Sequence, residues 1–363
     1  MNPYLEFDRL PVPPPAEESE VSSKWKEASE YIPSTATKQA LELALALQQP
    51  LLITGEPGCG KTSAAYWAAW RLGLPYAKLF HVQVRSDSNA SRLKYDFDVV
   101  SYFRESVIDA IQRPNGTESG GKIDGRNRNS PGYRRSFIDR GAIWRAFEAS
   151  EKGRVVLLFD EIDKAPRDFP NDLLKELDAF EFEVPELEDR GQGVSVAPKE
   201  TNESSGGQDA AIAESVPKTV VRATRGNLLC VITSNAEREL PGAFLRRCLH
   251  HHLVLTRETM REAALARMQH WGLKLSKELL DLALDRYLQL AEMDLKHRPS
   301  FSEMLIWLQA LGTGGADAEN LRTPEPAKLK YLAALLKDPE DLARIRGTGS
   351  DDSNDGRSRG LTS

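Results

Sequence analysis

A glycine-rich stretch followed by a lysine and a threonine offers the clearest chemistry in this sequence. Residues 55–62 read GEPGCGKT and match the phosphate-binding pattern G-x-x-x-x-G-K-[ST] without a mismatch. The glycines let successive backbone N–H groups point at phosphate oxygens, and the start of a following helix adds partial positive charge. Lys61 is placed to reach the β- and γ-phosphates, and the Thr62 hydroxyl to bind Mg²⁺. The residues predicted to contact the nucleotide are Gly55, Glu56, Pro57, Gly58, Cys59, Gly60, Lys61, Thr62 and Ser63.

Two adjacent acids follow an unbroken apolar run at residues 155–159. Because ligands of open α/β sheets bind at the carboxyl ends of strands, Asp160 and Glu161 are expected to face the phosphate loop. Asp160 suits the Mg²⁺ shell, as the acidic partner of Thr62, and Glu161 can orient and deprotonate an attacking water. Acids also follow strands merely to cap the next helix. The phosphate loop upstream favours the catalytic interpretation.

A third apolar run, residues 228–234, ends at Asn235. The neutral amide can hydrogen-bond the γ-phosphate or the attacking water, and the alternative is an Asx turn that closes the strand. Downstream, Arg246 and Arg247 follow a short helical run. Such an arginine can stabilise the transferred phosphoryl group on a neighbouring subunit, but exposed arginines are also often just solvated. Spacing alone leaves both interpretations open.

The elements around these residues have the pattern of an α/β protein. Residues 50–54 and 79–84 are predicted strands, residues 63–72 form a predicted buried helix, and Ser34 is a predicted helix cap. Beyond Thr256 the pattern turns helical, which predicts a small helical domain. Its predicted helices are Met260–His270, Ser276–Ala291, Phe301–Leu311 and Pro326–Ile345.

Four polar stretches are predicted to lie outside the folded core. Residues 1–30, rich in Pro and Glu, resemble an extended, solvated, disordered arm, and residues from about 347 to 363 a disordered tail. Residues 113–133, locally basic, and residues 186–218, mainly acidic, are predicted surface insertions.

Composition limits the classes of partner and compartment. The chain has 363 residues, of which 40% are hydrophobic, so two packed units are expected. Its net charge of −6 disfavours nucleic acid as the default partner. Three scattered cysteines suggest a reducing compartment, and the sequence has neither a signal segment nor an apolar run of membrane-spanning length. A cytoplasmic location without a membrane partner is the resulting expectation.

An ordered series of motifs resembles the MoxR-type AAA+ ATPases, in the clade with an insertion in the second helix. The motifs are GEPGCGKT, VVLLFDEIDKA, DFPNDLLKELDAFEFEVPE, VITSNAERELPGAFLRRC and RPSFSEMLIWL. The resemblance covers roughly residues 31–345. It implies a three-layer αβα core over residues 31–256, with a parallel five-stranded sheet of order 5-1-4-3-2. A helical lid over residues 257–346 completes the implied fold.

The resemblance also implies roles for residues. Asp160 and Glu161 match the Walker B position, Asn235 matches sensor 1, and Arg247 matches the arginine finger, with Arg246 as its less favoured neighbour. Similar proteins bind ATP and Mg²⁺ in hexameric rings and remodel protein partners, often with a von Willebrand factor type A domain protein. A hairpin between residues 182–184 and 219–223 is expected to point towards the ring axis.

Two points stay open at this stage. The region of the sensor-2 arginine reads Lys296 to Glu303, and alignment puts Ser302 or Glu303 at the arginine position, with Arg298 as a substitute. Two alternatives to an ATP-hydrolysing remodeller are left. One is a motor or regulator that acts on nucleic acid, which the acidic charge balance disfavours, and the other is an ATP-gated scaffold with slow turnover. A GTPase is disfavoured because the chain has no N-K-x-D signature.

Overall fold

The computed structural model describes residues 5–14, 22–111, 122–123, 126–127, 131–187, 220–323 and 325–347. The strands are β1 (Leu51–Thr54), β2 (Leu79–Gln83), β3 (Tyr95–Phe97), β4 (Lys122–Ile123), β5 (Arg126–Asn127), β6 (Ile138–Arg140), β7 (Val155–Asp160), β8 (Glu181–Glu183), β9 (Val220–Arg222), β10 (Leu228–Ser234) and β11 (Leu249–His252). The helices are α1 (Ser23–Lys26), α2 (Thr35–Leu47), α3 (Lys61–Arg71), α4 (Ala90–Lys94), α5 (Val99–Ile111), α6 (Pro131–Arg135), α7 (Ala142–Ser150), α8 (Phe169–Asp172), α9 (Leu174–Ala179), α10 (Gly242–Leu245), α11 (Arg257–His270), α12 (Lys277–Ala291), α13 (Phe301–Thr313) and α14 (Pro339–Arg346).

The central sheet is parallel, and its strands lie in the order β11-β1-β10-β7-β2. Numbered within the sheet, this is the predicted order 5-1-4-3-2. Gln83 pairs with Asp160, and Ile53 pairs with Thr233, so the polar ends of neighbouring strands meet at one edge. Crossover connections between parallel strands place helices on both faces of such a sheet.

Two apolar layers cover the sheet because successive strand residues point to opposite faces. Leu52, Leu157 and Ile232 pack on one face with α7, α8 and α9. Leu51, Leu158 and Val231 would be exposed on the other face, but α2 and α3 cover it. The three-layer αβα arrangement is therefore confirmed.

The lid is a separate helical cluster built from α11, α12, α13 and the turns and helix that follow. Ser276 caps α12, and Ser300 caps α13 through a capping box with Glu303. The predicted helix over residues 326–345 is wrong in its first part. Short 3₁₀ turns lie at Pro326–Lys328 and Leu332–Ala334, and an α-helix forms only after Asp338 caps it.

The N-terminal residues differ from the solvated arm predicted over residues 1–30. Phe7 is fully buried, its ring lies 5.0 Å from that of Trp67, and its N–H donates to the buried Glu42. Trp25 is also buried, against Tyr66 and Tyr76. Because α3 presents a large apolar face, these aromatic residues gain more by covering it than by staying in water.

The predicted insertions are partly outside the described residues. In the stretch 113–133, β4 and β5 pair antiparallel, and α6 begins at Pro131. Of the stretch 186–218, only residues 186 and 187 are described, and the tail is described only as far as Gly347. The predicted hairpin is confirmed, since β8 pairs antiparallel with β9. No helix in the described part of the chain combines the length and apolar character needed to cross a bilayer.

Candidate nucleotide-binding site

The loop between β1 and α3 has the backbone geometry of a phosphate cradle. Gly58 and Gly60 have φ values of 75° and 99°, which residues with a side chain rarely adopt. A Cβ at Gly60 would lie 2.8 Å from the Tyr31 ring. Lys61 is almost fully buried, and its ammonium donates to the carbonyls of Gly55 at 2.8 Å and Glu56 at 2.7 Å. The Lys61 ammonium is therefore hydrogen-bonded to neutral carbonyl oxygens. Charged phosphate oxygens can replace them because they are stronger acceptors.

Asp160 lies at the end of β7, facing the first turn of α3. Its Oδ1 accepts hydrogen bonds from Thr62 and Thr233, both at 2.7 Å, and its Oδ2 lies 3.2 Å from His81 Nε2. Tyr66, on the far side of the imidazole, is hydrogen-bonded to His81 Nδ1 at 2.9 Å. Burial by itself would raise the pKa of Asp160, but the hydrogen bonds from His81, Thr233 and Thr62 outweigh it and lower the pKa to about 2.

These oxygens fit a magnesium ion. Mg²⁺ prefers hard oxygen ligands, keeps several waters, and is usually held by one or two carboxylates together with substrate phosphates. The Thr62 hydroxyl and the ionised Asp160 carboxylate are 2.7 Å apart beside the phosphate loop, so both can serve one ion or its waters. The predicted metal residues are thus brought together.

Glu161 follows Asp160 in a left-handed conformation, with φ of 60°. The backbone N–H of Glu161 donates to Thr233 Oγ1 at 2.9 Å, which supports this uncommon geometry. The turn aims the carboxylate along the sheet edge. Its Oε2 accepts from Gln83 and from Lys164, both at 2.7 Å. Neither partner was predicted, although the register that pairs Gln83 with Asp160 places that amide beside the acid.

Asn235 lies directly after β10, and its amide Nδ2 is 3.4 Å from Glu161 Oε1. The loop that carries it is braced by the buried Asp163, which accepts from the backbone N–H groups of Asn235 and Glu237. The Asx-turn alternative does not describe this side chain, because the Glu237 N–H donates to Asp163, while the Asn235 amide contacts Glu161 Oε1 at 3.4 Å and Glu237 Oε1 at 3.3 Å. The two predicted catalytic groups therefore lie side by side.

The pocket around the phosphate loop also contains residues that the sequence did not reveal. They come from the N-terminal segment, from the start of α2 and from the lid: Lys24, Glu27, Glu30, Tyr31, Thr37, Leu255, Thr259 and Arg267. Tyr31 and Ile32 mark the entry to α2, where sequence reasoning placed the start of the folded domain. The polar groups of residues 22–30 were missed because this segment was interpreted as solvated.

The two arginines lie elsewhere. Arg246 and Arg247 are exposed between α10 and β11, and neither lines the pocket formed by the described residues of their own chain. The Arg247 guanidinium donates to the Ala243 carbonyl at 3.1 Å and lies 3.6 Å from Asp178. The site within one chain is therefore formed without either arginine.

The lid touches the phosphate loop through α13. Ser302 Oγ donates to the Gly58 carbonyl at 3.2 Å, whereas Glu303 turns back to cap its own helix and pairs with Lys337. Arg298 is exposed and does not line the pocket formed by the described residues. Of the candidates at the sensor-2 position, only Ser302 contacts the loop.

A glycine-rich loop that joins a parallel strand to a helix, with Thr62 and Asp160 together at the sheet edge, defines a P-loop nucleotide-binding protein with a helical lid. The family of the AAA domain (dynein-related subfamily) matches residues 50–248, and the chain belongs to this family. The AAA+ part of the resemblance is thus confirmed, and the MoxR type stays a prediction.

No curated protein matches the chain in sequence. Among solved structures, domain III of the replication initiation protein DnaA from Thermotoga maritima is similar, with 15% identity and a TM-score of 0.39. The match covers 88% of this chain and 98% of that one.

Proposed function

We propose that the protein binds ATP with Mg²⁺ and hydrolyses it to ADP and phosphate. One observation carries the proposal: at a single sheet edge, the Thr62 hydroxyl lies 2.7 Å from the Asp160 carboxylate, and Asn235 lies 3.4 Å from Glu161. The first pair suits a metal that neutralises phosphate charge, and the second suits a water that attacks the terminal phosphorus.

Each group has a defined task in this proposal. The loop amides and Lys61 hold the phosphates, with the lysine exchanging its two carbonyl partners for phosphate oxygens. Glu161 accepts a proton from the water, while Asn235 fixes the direction of attack. Because Lys164 and Gln83 occupy one oxygen of Glu161, the other oxygen is the one that faces Asn235 and the water.

We further propose that Arg247 completes the site of a neighbouring subunit in a ring, in the expected case a homo-hexamer. Arg247 is exposed and lies outside its own pocket, which is what a residue acting on another subunit requires. A guanidinium beside the nucleotide of the neighbouring subunit stabilises negative charge on the transferred phosphoryl group.

The ring is proposed to remodel a protein partner, in the manner of MoxR-like chaperones, with a von Willebrand factor type A domain protein as the partner class. The motif order and the β8–β9 hairpin support this proposal over the motor on nucleic acid. The net charge of −6 also disfavours a phosphate backbone as the substrate.

The test compares the parent with Glu161→Gln and with Glu239→Gln, an exposed acid that serves as the matched control. We expect Glu161→Gln to bind ATP as well as the parent and to hydrolyse it about 10²-fold or more slowly, since general-base catalysis contributes about 10² to 10⁴. Unchanged hydrolysis in Glu161→Gln contradicts the assignment. Strong stimulation of the parent by DNA supports the motor instead.

A further inference from the structure

Residues Ser22–Glu30 line one side of the nucleotide pocket through Lys24, Glu27 and Glu30, and we call this segment the N-terminal strap. The strap is attached to the core through Trp25, which is only 5% exposed. Its ring centroid lies 6.5 Å from that of Tyr66 and 5.6 Å from that of Tyr76. The segment is thereby fixed against α3, outside the residues that the family match covers.

The other end of the strap is attached to the lid. Arg267 on α11 donates to Glu30 at 2.6 Å and to Glu27 at 2.8 Å. His270 also lies 2.7 Å from the second oxygen of Glu30. With one attachment on the core and one on the lid, the strap has little freedom, and its remaining side chains are held over the pocket.

One of these side chains lies close to Asp160, the carboxylate expected to bind magnesium. Lys24 Nζ lies 3.8 Å from Asp160 Oδ2. The Lys24 side chain is half exposed, whereas the Asp160 side chain is 4% exposed. The ammonium is therefore a partly solvated cation beside a buried carboxylate.

The carboxylate has one acceptor position left, beside the Lys24 ammonium. An ionised carboxylate accepts about four hydrogen bonds. Thr62 and Thr233 donate to Oδ1 and His81 to Oδ2, whereas the Lys24 ammonium faces Oδ2 from 3.8 Å as an ion-pair partner, beyond hydrogen-bond distance. A metal ion, or a water bound to it, needs one of these positions.

The groups around the Asp160 carboxylate differ in how readily they can move away. Thr233 belongs to β10 and is fully buried, and His81 is held from behind by Tyr66. Lys24 is attached only through a flexible stem and loses little when its ammonium returns to water. A divalent ion beside Asp160 would also repel an ammonium at this distance.

We propose that Lys24 acts on the magnesium-binding residues of the site: its ammonium neutralises Asp160 in the metal-free protein and moves away from that carboxylate when magnesium and nucleotide bind. The inference rests on the proposed nucleotide-binding function. It makes Lys24 a competitor of Mg²⁺ rather than a ligand of the phosphates.

The test is a titration of Mg²⁺ into the full-length chain with mant-ADP, followed by fluorescence. Lys24→Met removes the competitor and is expected to lower the Mg²⁺ concentration at half-maximal signal about two- to fivefold, the size that a partly exposed ion pair supports. Lys26→Met is the matched control, since Lys26 is exposed in the same helical turn and does not line the pocket of the described residues. Its midpoint is expected to equal that of the parent.

A second measurement separates competition from phosphate binding. In EDTA, Lys24→Met is expected to bind mant-ADP with the affinity of the parent, because the competitor matters only when metal is present. Weaker binding in EDTA would make Lys24 a phosphate ligand and overturn the proposal, as would an unshifted Mg²⁺ midpoint. If Lys24→Met shows no cooperative thermal unfolding, and is therefore not folded, Lys24→Gln is used in its place. A parent that binds no mant-ADP refutes the proposed function as well, whereas a parent that binds with an unshifted midpoint refutes only this inference.

Discussion

Replacing Asp160 with asparagine tests whether the buried carboxylate stabilises the fold as well as the metal. The side chain is 4% exposed and accepts from Thr62, Thr233 and His81. These donors favour the charged form, which is why the pKa falls from 3.8 to about 2 despite burial. At about 1.36 kcal/mol per pKa unit, the lowered pKa corresponds to about 2 kcal/mol of stability at neutral pH.

The sign of this contribution fixes its pH range. The carboxyl group is more acidic in the folded than in the unfolded chain, so its stabilisation is fully present above the unfolded value of about 3.9. It is lost as the pH falls through the folded value of about 2. Asp160→Asn keeps the shape and one acceptor oxygen but not the charge, and it should unfold about 2 kcal/mol more easily at pH 7.

The assay is urea unfolding at pH 7 in EDTA, which keeps the metal out of the comparison, with Asp172→Asn as the control because Asp172 is exposed. With an m-value of about 1 to 3 kcal/mol per molar urea, the midpoint would shift by about 0.7 to 2 M. An Asp160→Asn midpoint equal to that of the parent, or higher, would refute the reasoning, because the hydrogen bonds would then not favour the carboxylate over a neutral amide.

Three further predictions concern other parts of the molecule. Phe7→Ala should lower the free energy of unfolding by about 3 to 5 kcal/mol, since it opens a cavity against α3. Val12→Ala, at an exposed residue, should change it by less than about 0.5 kcal/mol in the same urea titration. Lys61→Ala should abolish ATP binding in a filter or fluorescence assay, and retained binding would exclude the phosphate loop as the site. Arg247→Ala should keep ATP binding and lose hydrolysis about 10³-fold, and mixing it with Glu161→Gln subunits should restore turnover in part if Arg247 acts on a neighbour. Arg246→Ala is the control for that experiment, and equal losses in both variants would argue against a specific finger.

Much of the fold could be predicted because it depends on local patterns. Short apolar runs rich in β-branched residues, such as 155–159 and 228–234, are typical of buried strands, and a P-loop joins a parallel strand to a helix. The strand order came from the resemblance rather than from the patterns. The hairpin of β8 and β9 was predictable from alternation on either side of a long polar stretch.

The N-terminal segment shows where local patterns are insufficient. Prolines and acids are frequent in it, and its apolar residues, Phe7 and Trp25 among them, show no helix or strand period. Their burial depends on a face of α3 that exists only once the core has folded. The error over residues 326–345 also comes from relying on a local pattern. Helical spacing of the apolar residues predicted one helix, but in the folded lid these residues pack as separate short turns.

The sequence by itself determined the chemistry of the site: a loop that cradles phosphate, a hydroxyl and a carboxylate for a metal, an acid and an amide for water. These are properties of residue types at short spacing, so they are readable without a fold. Tertiary structure alone decided which distant groups attend them, namely His81 and Gln83 on a neighbouring strand, Ser302 from the lid and Lys24 from the strap. Such contacts depend on strand register and on packing between segments far apart in the chain, and no local pattern encodes either one.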